Sequence, residues 1–511
     1  MALTKLLTNA DLREWKMSIP QDIGFIPTMG SLHEGHSELI KFSKKLSKRE
    51  NIVSLVGVFV NPTQFENEKD FINYPSDNNL DSKCAMKAGA DAIWLPNIEE
   101  IFPKGLNDNF SVISPDYLSN KLCGLTRKGH FNGVSNVIIR LLNIVEPKFL
   151  ILGEKDWQQL IIIRQLVKDF NLKTIIKSVP THRDKDGLAS SSRNILLSNS
   201  ERSKASKFSQ TLLKIKDDYS NQNPIKITQI KKDLAAYNLN IEYLEHINHL
   251  TFNSVNDNDN ISLIAGAICL ENTRLIDHIF LMQRDPIIAI DGPAGAGKST
   301  ITKALAKELN LIYLDTGAMY RAIAWLLKDK DIDISKQNEL LDLLKNIKII
   351  FKFKTNDQEV FINNKNVTNV IRSPEISNYV SEISAIQEIR ELLTSQQREI
   401  GNQGGIIAEG RDIGTTVFPE SDLKIFLTAS IQKRAERRYK ELLNKGFQSI
   451  NFEEIKQQII NRDKEDQNRK YSPLIKAKDA IEINTDNLTI NQVKIEIKNL
   501  FEEKIPKELW E

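Results

Sequence analysis

The residues from 287 to 300 have the composition of a loop that holds phosphates. They read IIAIDGPAGAGKST, and Gly292, Gly297, Lys298 and Ser299 satisfy the spacing GxxxxGK[ST]. Glycines let backbone N–H groups turn inward around phosphate oxygens, Lys298 adds charge at the β- and γ-phosphates, and the Ser299 hydroxyl can ligate Mg²⁺. The flanking residues predict a strand before the loop and a helix after it, which is the context this spacing requires. The sequence therefore predicts a nucleoside triphosphate site.

Three charged motifs follow in the same half of the chain. They read LDTGAMYR (314–321), IIAEGRDIGTTVF (406–418) and NRDKEDQNR (461–469). Arg411 and Asp412 are adjacent after a predicted strand, so one can pair with a phosphate while the other accepts from a base or sugar. If 461–469 is helical, Arg462, Asp466 and Arg469 share one face and can close over a phosphate chain. A solvated, salt-bridged helix face explains the same charge pattern.

The first half carries a pair of histidines in the motif PTMGSLHEGHSEL (27–39). His33 and His36 follow a predicted strand and stand at the start of a predicted helix. Imidazoles there can donate to the phosphates of ATP and stabilise charge on a leaving group. Without a third ligand they are not a convincing metal site, and a purely structural role stays open for this motif alone.

Polar loops recur at the ends of predicted strands. Amide side chains suit a neutral or hydroxylated substrate, whereas Lys155 and Arg193 suit phosphates. Each loop alone could be ordinary surface, but several at the carboxyl ends of strands favour one binding cleft. The loops are FVNPTQF (59–65) with Asn61 and Gln64, GEKDWQQL (153–160) with Lys155, Asp156 and Gln159, and DGLASSSRN (186–194) with Ser191, Ser192 and Arg193.

These residues are spaced by alternating strands and helices. Strands are predicted at 23–27, 52–60, 92–95 and 149–152, and helices at 35–48, 81–89 and from about 157, which indicates a parallel, doubly wound sheet. Residues 198–240 favour Lys-rich helix, and short strands at 241–244, 261–267 and 273–279 flank a polar loop at 253–260. We therefore expect an α/β protein with a first domain at 1–283, divided into a core to about 185 and a small α+β subdomain at 186–283. A second domain is expected at 284–511.

Composition restricts the class of partner. The 511 residues include 69 Lys and Arg against 67 Asp and Glu, a net charge of +2, so no nucleic-acid or membrane partner is expected. Apolar runs fall short of the roughly 18 residues that span a bilayer, and residues 1–20 lack the apolar core of a signal peptide. The 3 cysteines are widely spaced, which fits a reducing cytoplasm.

The segment from about 285 to 505 resembles bacterial cytidylate kinase. GPAGAGKS, LDTGAMYR, EGRDIGTTVFP, RDKEDQNR and SPL (472–474) occur in that family's order. The resemblance implies a P-loop nucleoside monophosphate kinase fold and in-line transfer of the ATP γ-phosphoryl group to CMP or dCMP, with Mg²⁺. It assigns ATP to Gly292, Pro293, Ala294, Gly295, Ala296, Gly297, Lys298, Ser299 and Thr300, with Lys298 catalytic and Ser299 on Mg²⁺. It assigns CMP and its phosphate to Thr316, Arg321, Ser381, Arg390, Arg411, Asp412, Arg462, Asp466 and Arg469. Lys464 and Glu465 stand where the family often has a further basic residue.

Residues from about 20 to 280 resemble pantothenate synthetase, or pantoate–β-alanine ligase. The match includes GHFNGV (129–134) and NTRLIDHI (272–279). It implies a Rossmann-like, nucleotidylyltransferase-type fold that forms a pantoyl adenylate from ATP and (R)-pantoate, releases pyrophosphate, and passes the acyl group to β-alanine with release of AMP. The implied catalytic residues are His36 as proton donor, His33, Lys155 and Arg193, and Gln64 and Gln159 would hold pantoate. The implied ATP contacts are Met29, Gly30, Ser31, Leu32, His33, Glu34, Gly35, His36, Gly153, Glu154, Lys155, Asp156, His182, Ser190, Ser191, Ser192 and Arg193. The chain departs from the family at Ser76, where Arg is usual after Tyr-Pro, and at Ser190, where Met is frequent.

A fused bifunctional enzyme is therefore expected, using ATP as co-substrate and forming a homo-oligomer through the first half. Other interpretations stay open. The first half could be another nucleotidylyltransferase or an aminoacyl-tRNA-synthetase-like domain, although no KMSKS-type loop is present. The second half could phosphorylate thymidylate or a small molecule such as shikimate. A protein that binds ATP without turnover is the remaining alternative.

Overall fold

The computed structural model describes residues 3–65, 71–220, 225–271, 273–353, 358–444, 446 and 451–510. The chain forms two compact units, Met1–Gln283 together with Ile505–Glu511, and Arg284–Lys504. The residues after 504, which the sequence groups with the second domain, thus lie with the first unit. None of the described helices is long and apolar enough to cross a membrane.

A six-stranded parallel sheet forms the centre of the first unit. Its strands are β1 (Thr4–Leu6), β2 (Asp22–Thr28), β3 (Ile52–Val58), β4 (Ala92–Trp94), β5 (Phe149–Gly153) and β6 (Ile175–Val179), in the order β1-β4-β3-β2-β5-β6. The chain progresses in one direction from β2 through β3 and in the other through β5. A crevice opens at such a reversal, outside the carboxyl ends of the two strands. The loops after β2 and β5 therefore meet at one place.

Helices cover both faces of this sheet. Successive strand residues point to opposite faces, and Phe25 and Ile26 of β2 are both fully buried in separate apolar clusters. Burial on both sides explains why these strands are continuous apolar runs. The helices are α1 (Asn9–Ser18), α2 (Glu34–Glu50), α3 (Asn78–Ala88), α4 (Ile98–Ile101), α5 (Asp116–Ser119), α6 (Cys123–Thr126), α7 (His130–Val145) and α8 (Trp157–Asp169).

A smaller α+β layer completes the first unit. Helices α9 (Asn199–Ser220) and α10 (Ile227–Ala235) pack on an antiparallel sheet of β7 (Asn240–Asn248), β8 (Ile261–Leu270) and β9 (Thr273–Met282). These strands are longer than predicted because antiparallel pairing continues through polar residues at their ends. Residues 221–224, inside the predicted helical stretch, lie outside the described residues.

The second unit is built on a second parallel sheet. Its strands are β10 (Ile287–Asp291), β11 (Ile312–Asp315), β12 (Ile349–Phe353), β13 (Gln358–Ile362), β14 (Lys365–Asn366), β15 (Ile406–Gly410), β16 (Leu423–Thr428) and β17 (Ile481–Asn484). The parallel sheet has the order β11-β15-β10-β16-β17, and β12-β13-β14 form a separate antiparallel sheet. The predicted α/β class is confirmed in both units, whereas the small antiparallel sheet was not predicted.

The helices of the second unit flank this sheet and follow its strands. They are α11 (Lys298–Glu308), α12 (Thr316–Asp329), α13 (Gln337–Leu344), α14 (Pro374–Ile383), α15 (Gln387–Ile400), α16 (Ile431–Asn444), α17 (Phe452–Asn468) and α18 (Ile490–Lys504). The phosphate-type loop joins β10 to α11, so the predicted strand–loop–helix order is present. The charged loop at 411–412 follows β15, the neighbour of β10.

Candidate active sites

The two histidines lie at the N-terminus of α2, after the carboxyl end of β2. His33 is the N-cap residue, and its Nδ1 accepts the Gly35 backbone N–H at 3.2 Å. The Nδ1 of His36 accepts the His33 backbone N–H at 3.3 Å, and the two ring centroids are 4.1 Å apart. A neutral imidazole that accepts at Nδ1 carries its proton on Nε2. Each ring therefore has an Nε2–H that can donate to a ligand.

Both imidazoles are neutral at physiological pH. Burial, with the nearby charge of Lys155, lowers the pKa of His33 to about 4. Burial and the adjacent His33 lower the pKa of His36 well below its ordinary value. The two neutral rings therefore offer hydrogen-bond donors, and no positive charge, to a ligand that enters the cleft.

Two short turns carry the cationic residues. Lys155 and Asp156 lie in a 3₁₀ turn, Glu154–Asp156, between β5 and α8. Arg193 lies in another, Ser192–Leu196. A single cleft is lined by both turns and by the start of α2, and Gln159 enters it from the first turn of α8 rather than from the predicted loop. The predicted residues that line this cleft are Met29, His33, Gly35, His36, Asn61, Gln64, Gly153, Lys155, Asp156, Gln159, His182, Ser190, Ser191, Ser192 and Arg193.

Ser190 bridges two ionisable neighbours at the rim of this cleft. Its hydroxyl donates to Asp184 Oδ1 at 2.6 Å and lies 2.8 Å from His182 Nδ1. Because the single hydroxyl proton goes to the carboxylate, Nδ1 of His182 is the donor in the second bond. The proton of a neutral His182 therefore sits on Nδ1, and its Nε2 is left as an acceptor.

Five predicted ATP contacts do not line the cleft. The backbone N–H groups of Ser31 and Leu32 donate to the buried carboxylate of Asp81 at 3.1 and 2.7 Å, and Gly30 stands beside them with φ +86°. Glu34 points outward to Lys41 at 2.8 Å. Glu154 is the first residue of the turn that carries Lys155, and it is fully buried.

Several cleft residues were not predicted as site residues. Tyr74 donates to or accepts from Ser192 Oγ at 3.0 Å. The Arg127 guanidinium contacts His130 Nε2 at 3.0 Å, and both side chains reach the Gln64 carbonyl at 3.1 Å. Burial and Arg127 lower the pKa of His130 to about 3. The motif GHFNGV contains His130, so a polar residue in that motif was the available signal. Asn272, which begins the motif NTRLIDHI, lies outside the described residues.

The phosphate-type loop of the second unit has the backbone that its glycines predict. Gly292 has φ +145°, and a Cβ there would lie 2.1 Å from the Leu427 carbonyl oxygen. Gly295 and Gly297 have φ of +79° and +93°, and Gly297 is the N-cap of α11. Only glycine adopts these conformations without strain. The loop therefore presents backbone N–H groups at a helix N-terminus, the arrangement that binds phosphate.

Polar groups are concentrated beneath this loop. Lys298 Nζ donates to the carbonyls of Gly292 at 2.7 Å and Pro293 at 2.9 Å. Ser299 Oγ donates to Glu409 Oε2 at 2.9 Å, and Tyr313 donates to the same carboxylate. Burial and Arg411 lower the pKa of Lys298, while burial and Asp315 raise that of Glu409. A bound polyphosphate would add negative charge beside this lysine and favour its charged form.

Buried and partly buried arginines gather beyond the ends of β11 and β15. Arg390 pairs with Asp412, and Arg411 Nε donates to Asp466 at 2.9 Å. Arg462 has a pKa lowered by burial and by Arg411. Among the described residues, four guanidinium nitrogens of this group are buried without a hydrogen-bond partner, namely Arg321 Nε, Arg390 Nε, Arg462 Nε and Arg469 Nη2. The surplus of donors over acceptors fits an anionic ligand.

The position of Arg469 differs from the sequence prediction. Helix α17 ends at Asn468, and Arg469 follows it with φ −62° and ψ 142°, so the predicted common helix face for three residues is wrong for Arg469. It still lies 3.6 Å from Asp466 and 3.5 Å from Asp412, because the chain turns back there.

The remaining predicted residues of this group have separate positions. Thr316 Oγ1 donates to the Glu409 carbonyl at 2.7 Å. Ser381 lies in α14, and its carbonyl accepts the Ser384 hydroxyl at 3.0 Å. Arg434 was not predicted, yet it donates to the Ala294 carbonyl of the loop at 3.1 Å and pairs with Asp463.

Each unit is thus an α/β domain with polar loops at the carboxyl edge of a parallel sheet, and the second has a phosphate loop. The family model for pantoate–β-alanine ligase matches residues 4–280, and that for cytidylate kinase matches residues 288–503. A bifunctional pantoate ligase/cytidylate kinase of Prochlorococcus marinus strain MIT 9312 is 52% identical over 500 residues, covering 98% of this chain and 97% of the relative. One from strain SARG is 48% identical over 514 residues, covering 100% and 99%. A solved pantothenate synthetase from Thermus thermophilus is 32% identical, with a TM-score of 0.49, and covers 54% of this chain and 99% of that one.

The chain belongs to the family of bifunctional pantoate ligase/cytidylate kinases, since the similarity extends over almost the whole of both sequences. The resemblance found in the sequence is therefore confirmed for both halves.

Proposed function

We propose that the first unit joins pantoate to β-alanine through an acyl adenylate. The observation that carries this proposal is the single cleft at the reversal of strand order, where His33 and His36 share a lining with Lys155 and Arg193. Two cations suit the ATP phosphates, and the amides of Gln64 and Gln159 suit a hydroxylated carboxylate. Family membership supports the same reaction.

The proposed reaction has two displacements. A pantoate carboxylate oxygen attacks the α-phosphorus of ATP, and the bond to pyrophosphate breaks. Lys155 and Arg193 offset charge on the α-phosphoryl group, and the Nε2–H groups of His33 and His36 donate to the leaving pyrophosphate. The β-alanine amine then attacks the acyl carbon, loses a proton and displaces AMP. His36 keeps the role of proton donor, and His182 abuts the nucleotide.

We propose that the second unit transfers the γ-phosphoryl group of ATP to CMP or dCMP. The carrying observation is the set of four buried guanidinium nitrogens for which the described residues supply no hydrogen-bond partner, in the unit that contains the phosphate loop. A phosphate oxygen of CMP attacks the γ-phosphorus, and ADP leaves. Lys298 and the arginines neutralise the transferring group, and no base is needed because the attacking phosphate is already anionic. Ser381, Arg390 and Asp412 would hold the CMP.

Mg²⁺ fits this site by donor type. Mg²⁺ in kinase sites is bound by few protein oxygens together with substrate phosphates, and the Ser299 hydroxyl and Glu409 carboxylate are adjacent below the loop. These two residues would hold the ion, which when bound neutralises phosphate charge. We also propose a cytoplasmic homo-oligomer associated through the ligase half, on the resemblance and on the sparse cysteines.

The two reactions are separable in one assay because they cleave ATP at different bonds. The purified chain is incubated with ATP and Mg²⁺, one sample with pantoate and β-alanine and another with CMP. We expect AMP and pyrophosphate in the first sample, and ADP with CDP in the second, by chromatography.

Omitting one substrate tests each assignment. Pyrophosphate release without pantoate would contradict the ligase and favour another nucleotidylyltransferase. A preference for thymidylate or shikimate over CMP and dCMP would contradict the kinase assignment. ATP binding without any product would favour a sensor.

A further inference from the structure

The C-terminal segment, residues 505–510, contacts the loop that carries the ligase cations. The backbone N–H groups of Lys507 and Glu508 donate to Glu154 Oε1 at 2.8 Å and Oε2 at 3.2 Å. Ser178 Oγ donates to the same Oε1 at 2.8 Å. Glu154 is 0% exposed, and a buried carboxylate is costly unless donors surround it. Two of these three donors come from the end of the chain.

A second contact joins the segment to another wall of the cleft. Glu508 Oε1 accepts the Thr181 backbone N–H at 2.9 Å, and both Thr181 and the adjacent His182 line the cleft. Lys507 Nζ lies 4.2 Å from the ring centroid of Phe42 in α2, the helix that begins at the two histidines. The segment therefore touches the loops after β5 and β6 and the helix after β2.

The local sequence makes these donors available. Pro506 has φ −55° and ψ 138°, and Lys507–Leu509 form one turn of 3₁₀-helix. The first N–H groups of a helical turn have no acceptor within it, so those of Lys507 and Glu508 are available for the Glu154 carboxylate.

We infer that residues 505–510 are a positioning element of the ligase site, holding Glu154 and Thr181 so that Lys155 and His182 face the nucleotide. The inference rests on the ligase activity proposed above. It means that the final residues of the chain, which follow the kinase sequence, serve the other reaction. None of residues 505–510 lines the cleft, so the segment acts through Glu154 and Thr181.

Lys507 allows the backbone donor to be tested separately from its side chain. Lys507→Pro removes the N–H that donates to Glu154. Proline fits the first position of a helical turn, and the preceding residue, Pro506, already has the extended backbone that a residue before proline favours. Lys507→Ala is the matched control, because it removes the same side chain and keeps the N–H. In the full chain, we expect Lys507→Pro to raise the ligase KM for ATP roughly tenfold relative to Lys507→Ala. CMP kinase kinetics should be equal in the two variants.

The pH profile of the ligase rate gives a second measurement, which a general destabilisation of the first unit would not shift. Burial raises the pKa of Glu154, and the Lys507 N–H opposes that rise. Removing this N–H should therefore move the acidic limb of the ligase rate profile to higher pH in Lys507→Pro and not in Lys507→Ala. Equal ligase KM and equal pH profiles in the two variants would overturn the inference, as would a parallel loss of both activities.

A second pair of variants, at Glu508, tests the inference if the proline variant does not fold. Glu508→Ala removes the acceptor for Thr181, and Glu508→Gln keeps one. We expect the alanine variant to raise the ligase KM for ATP and the glutamine variant to restore it; equal values would contradict the inference. If the unsubstituted chain releases no AMP with pantoate and β-alanine, the proposed function fails instead, so the two failures are distinguishable.

Discussion

Ser190 illustrates how one hydroxyl can set the tautomer of a neighbouring imidazole ring. By donating to Asp184 and accepting from His182, it leaves His182 Nε2 as an acceptor toward the cleft. A methionine, frequent at this position in the family that the sequence resembles, cannot donate to Asp184, and its sulfur is only a weak acceptor for His182. The departure noted in the sequence therefore adds a polar bridge.

Replacing Ser190 should weaken nucleotide binding in the ligase site. In Ser190→Ala, His182 loses its acceptor and can rotate or change tautomer, so we expect the ligase KM for ATP to rise several-fold, about 1 kcal/mol for one hydrogen bond. Initial-rate kinetics at fixed pantoate and β-alanine measure the change. Ser190→Thr keeps the hydroxyl and serves as control. An alanine variant with unchanged KM would show that the bridge has no part in binding.

The depressed pKa of His33 should make the first unit sensitive to mild acid. His33 has a pKa of about 4 in the folded chain and about 6.5 when unfolded. Between these two pH values the unfolded chain binds more protons than the folded chain. The free energy of unfolding is therefore highest above pH 6.5 and decreases as the pH falls toward 4. The loss attributable to this residue is at most about 3 kcal/mol.

Denaturant unfolding at pH 7 and pH 5 measures this dependence. Gln does not titrate, so His33→Gln should lose less stability over that interval than the unsubstituted chain. Equal losses in the two proteins would mean that His33 does not contribute.

At the scale of elements, the approach of α7 to the turn at Pro62–Gln64 positions Gln64. Asn61 Nδ2 donates to the Gly133 carbonyl at 3.1 Å, and a Cβ on Gly133 would lie 2.2 Å from the Thr63 carbonyl oxygen. Backbone atoms cannot yield as a flexible side chain would. The glycine therefore sets the distance between helix and turn despite its poor helix propensity.

Gly133→Ala should displace this turn. We expect ligase kcat/KM for pantoate to fall at least about tenfold and stability to fall by about 1–3 kcal/mol from overpacking, with CMP kinase activity unchanged. Asn143→Ala, at an exposed position of the same helix, should leave ligase activity near normal. An alanine at 133 that stabilised the protein without loss of activity would show that the helix and turn can separate freely.

Local patterns predicted most of the elements that carry these sites. The strand before each motif is a short, continuous apolar run. β2, β3 and β5 occur within a residue or two of their predicted bounds, and β10 lies directly before the phosphate-type loop, as predicted. The glycine spacing at 292–297 also indicates the backbone conformation of the loop, because only glycine adopts those torsions without strain. Such features depend on neighbours in sequence and can be recognised there.

Features that depend on distant contacts were not predictable. Arg469 reaches Asp412 and Asp466 only because the chain turns at the end of α17, and helical spacing alone gave the wrong geometry. The Glu34 side chain points outward because it pairs with Lys41. Arg434 contacts the phosphate loop because it donates to the Ala294 carbonyl, which lies more than a hundred residues earlier in the chain. Charge patterns indicate that such residues are polar, not which partner they meet.

At the scale of the whole chain, each site is assembled within one unit. The described residues that line the ligase cleft lie between Pro27 and Arg193, all in the first unit. The phosphate loop and the arginine group lie between Gly292 and Arg469, all in the second. Residues 505–511 follow the second unit in sequence but belong to the first unit in the structure.

This arrangement predicts that point substitutions in the two sites act separately. His36→Ala removes an Nε2–H donor from the leaving pyrophosphate and should lower ligase kcat by about 10²–10³-fold, with CMP kinase kcat and KM unchanged. Lys298→Ala should abolish most CDP formation and leave pantothenate formation unchanged, since its ammonium group donates to carbonyls of the phosphate loop, within the second unit. Both activities are measured on the same preparation of each variant, so that expression and folding are shared controls. A variant that loses both activities while its unfolding transition is unchanged would mean that the two reactions share a nucleotide site, which the separate origin of the two sets of residues opposes.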